Sequence, residues 1–255
     1  MAEASIELRP PSPWLLLMEG SRAPLEYALT LAAMPWLSRV PRGDGHPVIV
    51  FPGLGASGRS TQTLRDYLGH LGYAACDWEL GRNQPRPDVL EACSERVLEV
   101  AAQHGRKVSL VGWSLGGVYA RELAKRLEAQ TRCVITLGSP FSGDTRATNA
   151  ARAYELLGGR PARHDPERAA RLRRAPNVPT TSIYSKSDGV VAWQCSLNDD
   201  AAHTENIEIH ASHLGLGVNP LALYAVADRL RQDPARWQRF DAQTLPRGLF
   251  RAGAH

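Results

Sequence analysis

The 255-residue chain lacks most of the features that declare a function at once. Its four cysteines, Cys76, Cys93, Cys133 and Cys195, stand far apart with no Cys-x-x-Cys among them, and there is no Cys/His zinc spacing. That excludes a disulfide scaffold and a zinc module, and leaves reduced, mostly buried thiols with no metal to hold. Charge has no dominant sign. A net +4 with 22% charged residues is too weak to imply nucleic acid, and no aromatic-plus-basic RNA motif accompanies it. Long apolar runs are missing as well. The most apolar window, residues 24–37, is interrupted by Glu26 and Pro35 and is too short to cross a bilayer. The opening MAEASIELRPPSPWLLLMEG carries Glu3 and Glu7 where a secretory signal would be basic, and has no small-residue cleavage site. A soluble, cytoplasmic protein with no obligate protein partner is therefore expected. No internal repeat or low-complexity tract is present.

What the chain does have is a βα rhythm. Residues 13–38 read as one or two amphipathic helices within an N-terminal helical segment, 1–45, that could pack on a core or lie on a surface. From His46 the pattern is cleaner. Pro47–Phe51 is continuously apolar, as a strand buried on both faces must be. Tyr73–Trp78, Lys107–Val111, Arg132–Leu137, Thr180–Tyr184 and Ile207–His210 read as further strands. Thr61–Leu71, Val89–His104, Ser114–Ala129 and Leu221–Arg231 read as helices between and after them. Alternating strands and helices imply a mostly parallel sheet covered on both faces. Residues 46–140 and 179–231 form this core, 141–178 interrupt it, and 232–255 read as an irregular tail.

In a parallel sheet, function gathers at the carboxyl ends of the strands. Four segments follow strands here. In Gly112-Trp113-Ser114-Leu115-Gly116 a serine sits between two glycines at a strand-to-helix turn. A sharp, strained bend would lift its hydroxyl clear of the sheet and aim a helix N-terminus at the same point. The bland alternative is a turn that merely needs small residues. In Phe51-Pro52-Gly53-Leu54-Gly55 the backbone is free to offer an N–H, and the amides of Leu54 and Leu115 are the natural oxyanion donors. A phosphate loop would need a Gly-Lys-Ser/Thr ending, which is missing. Asp188, in Ser187-Asp188-Gly189, follows a strand and could orient an imidazole; alone, Asp-Gly is more often just a turn. His213 lies in the loop after the last strand, where a base can approach a serine. His210 falls inside the strand pattern and reads as structural. His46, His104, His164 and His203 read as ordinary surface or loop histidines. Asp199, Asp200 and Asp144 are fallback acids. The chain order Ser114, Asp188, His213 is that of a nucleophile, its acid and its base.

On VIVFPGLGAS (48–57), VGWSLGG (111–117), TLGSPFSG (136–143), SDGVV (187–191) and SHLGLGVNP (212–220), the sequence resembles the α/β-hydrolase fold superfamily, and within it the bacterial lipases and esterases. The resemblance implies an α/β-hydrolase fold of about six strands with a small helical cap insertion at 141–178. It also implies serine hydrolysis of carboxylic esters of short to medium acyl chain, without cofactor or metal. An acyltransferase or thioesterase on the same triad is the alternative, followed by a non-catalytic binding protein of the same fold. Two features depart from the family's pattern: Pro52-Gly53 stands where the first loop often reads His-Gly, and the first two strands of the full fold are not evident. Trp113, Phe141, Val190 and Val191 are expected to line an apolar acyl site, with core packing as the plain alternative. The insertion carries eight arginines (146, 152, 160, 163, 168, 171, 173 and 174) against Asp144, Glu155, Asp165 and Glu167. This surplus reads as a solvated helical face, with contact to a lipid surface as the functional alternative.

Overall fold

The computed structural model describes residues 8–142, 147–157, 159, 166–242 and 250–252. In chain order the elements are α1 (Pro13–Leu37), β1 (Pro47–Phe51), α2 (Gln62–His70), β2 (Ala74–Asp77), α3 (Val89–His104), β3 (Val108–Trp113), α4 (Leu115–Arg126), β4 (Thr131–Leu137), α5 (Ala151–Leu156), α6 (Pro166–Arg173), β5 (Thr180–Tyr184), β6 (Thr204–Glu208), α7 (Pro220–Leu230) and β7 (Arg251–Ala252). One sheet runs β2-β1-β3-β4-β5-β6-β7. The first six strands are parallel, and β7 adds two antiparallel residues against β6. The tail, expected to be irregular, thus returns to the sheet edge, through a pairing with a distant strand that no local pattern announces.

Strand β1 shows why its run is unbroken. Val48 and Val50 point into one core, with Leu64, Leu68, Ile135 and Ala222, and Ile49 and Phe51 point into the other, with Val97, Leu110 and Leu123. Every residue of β1 is buried, because helices α2 and α7 cover one face and α3 and α4 the other. Helix α7 starts on Asn219, whose side chain accepts from the amides of Leu221 and Ala222, with Pro220 at its first position. Helix α3 ends on Gly105 in the left-handed region.

In place of one or two helices over 13–38, Pro13–Leu37 is one continuous helix that includes Pro24 and Pro35. Ser12 caps it by accepting from Leu15 N at 3.3 Å, and Trp36 stacks on Tyr224 of α7, centroids 4.9 Å apart. Over residues 14–31 its polarity is the reverse of an ordinary amphipathic helix, while Leu37 at its end is buried in the core. Glu19, Glu26 and Thr30 are buried, while Trp14, Leu17, Leu25, Leu29 and Leu31 are exposed. No helix among the described residues is long and apolar enough to cross a membrane.

Where the insertion is described, it is tied to the body. Asn149 N donates to Val190 O at 2.8 Å, and Ala192 N donates to Ala147 O at 3.1 Å. Arg121 and Lys125 of α4 donate to the carbonyls of Arg173 and Arg171. Arg173 pairs with Asp199 and Arg171 with Glu122. Arg146, Arg160, Arg163, His164, Asp144 and Asp165 lie outside the described residues. Three of the four cysteines, Cys93, Cys133 and Cys195, are buried, and no disulfide is present among the described residues.

Candidate functional site

At the carboxyl end of β3 the chain turns sharply into α4. Ser114 stands at the bend with φ 53° and ψ −121°, a conformation that side chains other than glycine rarely take. The glycines two residues either side are required by close approach. A Cβ on Gly112 would lie 2.3 Å from Gly117 Cα, and one on Gly116 would lie 2.4 Å from Phe51 O. Both obstacles are backbone and cannot step aside. The Ser114 hydroxyl does not cap α4.

The acid and base loops meet beside this turn. Asp188, four residues past β5, is buried and accepts from Val190 N at 2.8 Å and Val191 N at 2.7 Å through Oδ1. Its Oδ2 accepts from His213 Nδ1 at 2.7 Å. The carboxylate accepts a hydrogen bond from Nδ1–H, which keeps the proton on Nδ1 and leaves Nε2 as the basic nitrogen. Burial disfavours the His213 imidazolium, but the charge and hydrogen bond of Asp188, aided by the charge of Glu19, outweigh it and raise its pKa above the ordinary imidazole value. Trp113 Nε1 donates to His213 O at 3.0 Å, which fastens the base loop to the strand that bears the serine. Gly138, after β4, lies directly beneath the pair: a Cβ there would be 3.0 Å from Asp188 Oδ2 and 3.2 Å from His213 Nδ1.

The loop after β1 closes the site. Gly53 backs onto Ser114, whose Cβ would be 3.4 Å from a Cβ placed on Gly53. The next residue, Leu54, has an amide that donates to no other acceptor among the described residues. Leu115 is the first residue of α4, so its N–H has no intrahelical acceptor. Asn83 shapes this loop, donating through Nδ2 to Pro52 O at 2.6 Å and pairing its backbone with Gly55 and Ala56.

Of the residues expected to line an acyl site, Trp113 and Phe141 are largely taken up by protein contacts. Trp113 is held by His213 and packs closely on Gly217. Phe141 is buried beneath the Arg121 guanidinium, 3.7 Å from its ring centre. Val191 joins a small cluster with Ala147, Ala192 and Cys195, and Val190 is half-buried beside it. Leu157, at the end of α5, touches the Gly55 position of the first loop, 3.5 Å from a Cβ there.

Two histidine readings are corrected. His210 lies past the end of β6, is exposed, and faces Ser187 Oγ at 3.3 Å. His46 is fully buried: its Nδ1 meets Asp44 at 2.5 Å and its Nε2 meets Ser109 Oγ at 2.8 Å. The sequence held only half of this arrangement, an Asp-x-His before a strand, because Ser109 arrives from 63 residues away. The fallback acids are occupied at the surface, Asp199 by Arg173 and Asp200 by Arg239. Asp144 lies outside the described residues. Residues missed from sequence are Glu19, Arg22 and Glu26 of α1, which contact the acid and base loops. Their helical spacing inside an apolar stretch marks one face of the helix but not which face is turned inward.

A family model described as the alpha/beta hydrolase family matches residues 29–254, and the chain belongs to that family. Among solved structures, a Bacillus licheniformis lipase in its mature form superposes with a TM-score of 0.57 at 17% identity, over 76% of this chain and 95% of that one. Aspergillus fumigatus lipase B gives 0.55 at 21% identity, over 76% of this chain, which spans 55% of the fungal enzyme. A Paleococcus ferrophilus monoacylglycerol lipase gives 0.53 at 14% identity, over 73% of this chain and 95% of that one. At these identities the likeness is one of fold. No curated protein matches the sequence.

Proposed function

We propose that the protein is a serine hydrolase of carboxylic esters, with Ser114 as nucleophile, His213 as general base and Asp188 as its orienting acid. The observation that carries this reading is a strained, glycine-flanked serine beside a buried, hydrogen-bonded Asp188–His213 pair at the same end of the sheet. His213 Nε2 takes the Ser114 proton as Oγ bonds to the ester carbonyl carbon. The carbonyl oxygen becomes an oxyanion, held by the Leu54 and Leu115 amides at about 3 kcal/mol each. The C–O bond to the alcohol then breaks, and the alcohol leaves with the proton from His213. Water repeats the sequence on the acyl-enzyme, and the acid departs as Ser114 regains its proton. Asp188 keeps its charge throughout and stabilises the imidazolium.

Leu54, Leu157 and Val190 supply the apolar wall for the acyl group in this reading, with Trp113, Phe141 and Val191 packed behind it. The substrate is a small-molecule or lipid ester. Lipid presentation is favoured by the outer face of α1, where Trp14 is 66% exposed, Leu17 71% and Leu25 61%. So much bare apolar surface on one helix suits adsorption to a lipid surface better than water.

The test is hydrolysis of p-nitrophenyl esters from acetate to palmitate by wild type and Ser114→Ala. The expected result is turnover in wild type, best at short to medium chains, and none in the variant. Equal rates in both would overturn the assignment. Wild type inert at every length, with product appearing only when alcohol or thiol acceptors receive the acyl group, would replace the hydrolase with a transferase.

A further inference from the structure

Helix α1 contributes more than an apolar outer face. Its inward stripe is Glu19, Arg22, Glu26 and Thr30, spaced three, four and four residues, so all four project from one side of the helix. Each contacts the loops that carry Asp188 and His213 or their continuation. Glu19 Oε1 accepts from Gly189 N at 2.7 Å and from His213 N at 2.9 Å, and Oε2 accepts from Leu214 N at 2.8 Å. Arg22 donates to Ser187 O at 2.7 Å and to Ser187 Oγ at 3.0 Å. Glu26 accepts from Ser212 N at 2.7 Å and Asn219 Nδ2 at 3.0 Å. Thr30 donates to Val218 O.

One carboxylate therefore joins two turns that are 24 residues apart in sequence. In the acid turn the amides divide between two carboxylates: those of Val190 and Val191 go to Asp188, and that of Gly189 goes to Glu19. In the base loop His213 itself hangs from Glu19 by its backbone N–H. The fit is close, since a Cβ on Gly189 would fall 2.4 Å from Leu15 O. Neither Glu19 nor Glu26 has an ion-pair partner among the described residues, and both are buried. An unpaired buried carboxylate is costly even with its hydrogen bonds made. A neutral amide would not replace it, since both Glu19 oxygens accept from backbone N–H groups and an amide has one acceptor oxygen. The charge that comes with this double acceptor also acts on the His213 imidazole.

We propose that Glu19 is a positioning residue for the Asp188–His213 pair, fixing the two turns against each other and adding a second negative charge that stabilises the imidazolium formed during turnover. This rests on the serine-hydrolase reading. Asp188 faces the imidazole from the turn after β5 and Glu19 lies near it from α1; the Trp113 indole at the end of β3 and the Gly138 backbone just after β4, both uncharged, also lie against it. Glu26 and Arg22 touch Ser212 and Ser187 rather than the ring, and Lys186 is paired with Glu208.

The test compares wild type, Glu19→Gln and Glu19→Asp. The His213 ring-proton resonance is followed against pH by NMR without substrate, and kcat and KM are measured across the same pH range. Glu19→Gln is expected to lower kcat about tenfold with KM little changed. It should also move the His213 midpoint down by about half a pH unit, because a negative charge has been lost. Glu19→Asp keeps the charge on a shorter stem, so the midpoint should hold while kcat falls. A wild-type midpoint and kcat in Glu19→Gln would overturn the proposal, as would an Asp variant whose midpoint moves as far as that of Gln. If Glu19→Gln does not fold, Glu19→Asp decides alone: lower kcat at an unmoved midpoint supports the proposal, and unchanged kcat overturns it. Failure of the hydrolase reading is separate, appearing as wild type without ester turnover while the NMR midpoints still report on Glu19.

Discussion

One strand has a bonded Ser–His–Asp set at one end and the proposed Ser114–His213–Asp188 set at the other. At the amino end of β3, Ser109 meets His46, which meets Asp44. At its carboxyl end Ser114 follows Trp113, whose indole holds the loop of His213, and His213 is bonded to Asp188. The residue types are the same and the acid–base bonds are similarly short, yet the surroundings differ in every respect that matters for chemistry. Ser109 is wholly buried in extended backbone, with Cys133 Sγ at 3.3 Å as a further neighbour. Ser114 is partly open and sits on a strained bend, with a helix N-terminus behind it and the Leu54 loop beside it. A nucleophile needs access and a place for the oxyanion; three residue types in contact supply neither.

The electrostatics diverge as well. Asp44 also pairs with Arg106 at 2.6 Å and lies 3.8 Å from Arg132. Burial, opposed by Asp44 but reinforced by the charges of Arg132 and Arg106, lowers the pKa of His46. Asp188 is bound by uncharged amides, its charge remains available to the ring, and His213 moves the opposite way. The same triplet makes a neutral structural histidine at one end and a stronger base at the other.

Serine replacement should separate the two ends most widely. Ser114→Ala is expected to lower kcat by about 10⁴-fold or more. Ser109→Ala should leave kcat within about twofold and instead cost about 1–3 kcal/mol in urea unfolding, because His46 loses a buried partner. Equal kcat losses would erase the distinction. Next come the acids. Asp188→Asn should lower kcat by about 10³–10⁴-fold by favouring the wrong tautomer of His213, and Asp44→Asn should change only the melting temperature, read by circular dichroism.

The smallest effect is in pH. His213 has a raised folded-state pKa, so kcat/KM should climb with pH through a midpoint above the ordinary imidazole value. Its contribution to stability is fully present below the unfolded value, about 6.5, and is lost as pH rises through the folded midpoint. His46 has a lowered folded-state pKa, so its contribution is present above the unfolded value and is lost as pH falls toward the folded one. Urea titrations should therefore lose slope below about pH 6.5 in His46→Gln and above it in His213→Gln. Matching changes in both variants would contradict the opposed environments.

The asymmetry also explains what could be read from sequence. Strand β1 and the Ser114 turn were legible because their constraints are local: a run buried on both faces, and glycines that backbone contact demands. Asp188 and His213 were legible through their places after strands. The Asp44–His46–Ser109 set was not, because His46 reads alone as an ordinary surface or loop histidine and Ser109 as one residue of a strand, and their contact is tertiary. The inward glutamates of α1 were not legible either. A helix with a polar stripe facing protein and leucines facing out has the periodicity of an amphipathic helix with its sense reversed, and only tertiary contact reveals which side is inside. Strand β7, two residues long, carries no periodicity at all.

The most direct test of the central claim is to label the wild-type protein with a fluorophosphonate and map the modified peptide by mass spectrometry. The account predicts a single phosphonylated serine, Ser114, with Ser109 untouched. Label on Ser109, or no label on Ser114 in a folded protein, would contradict it.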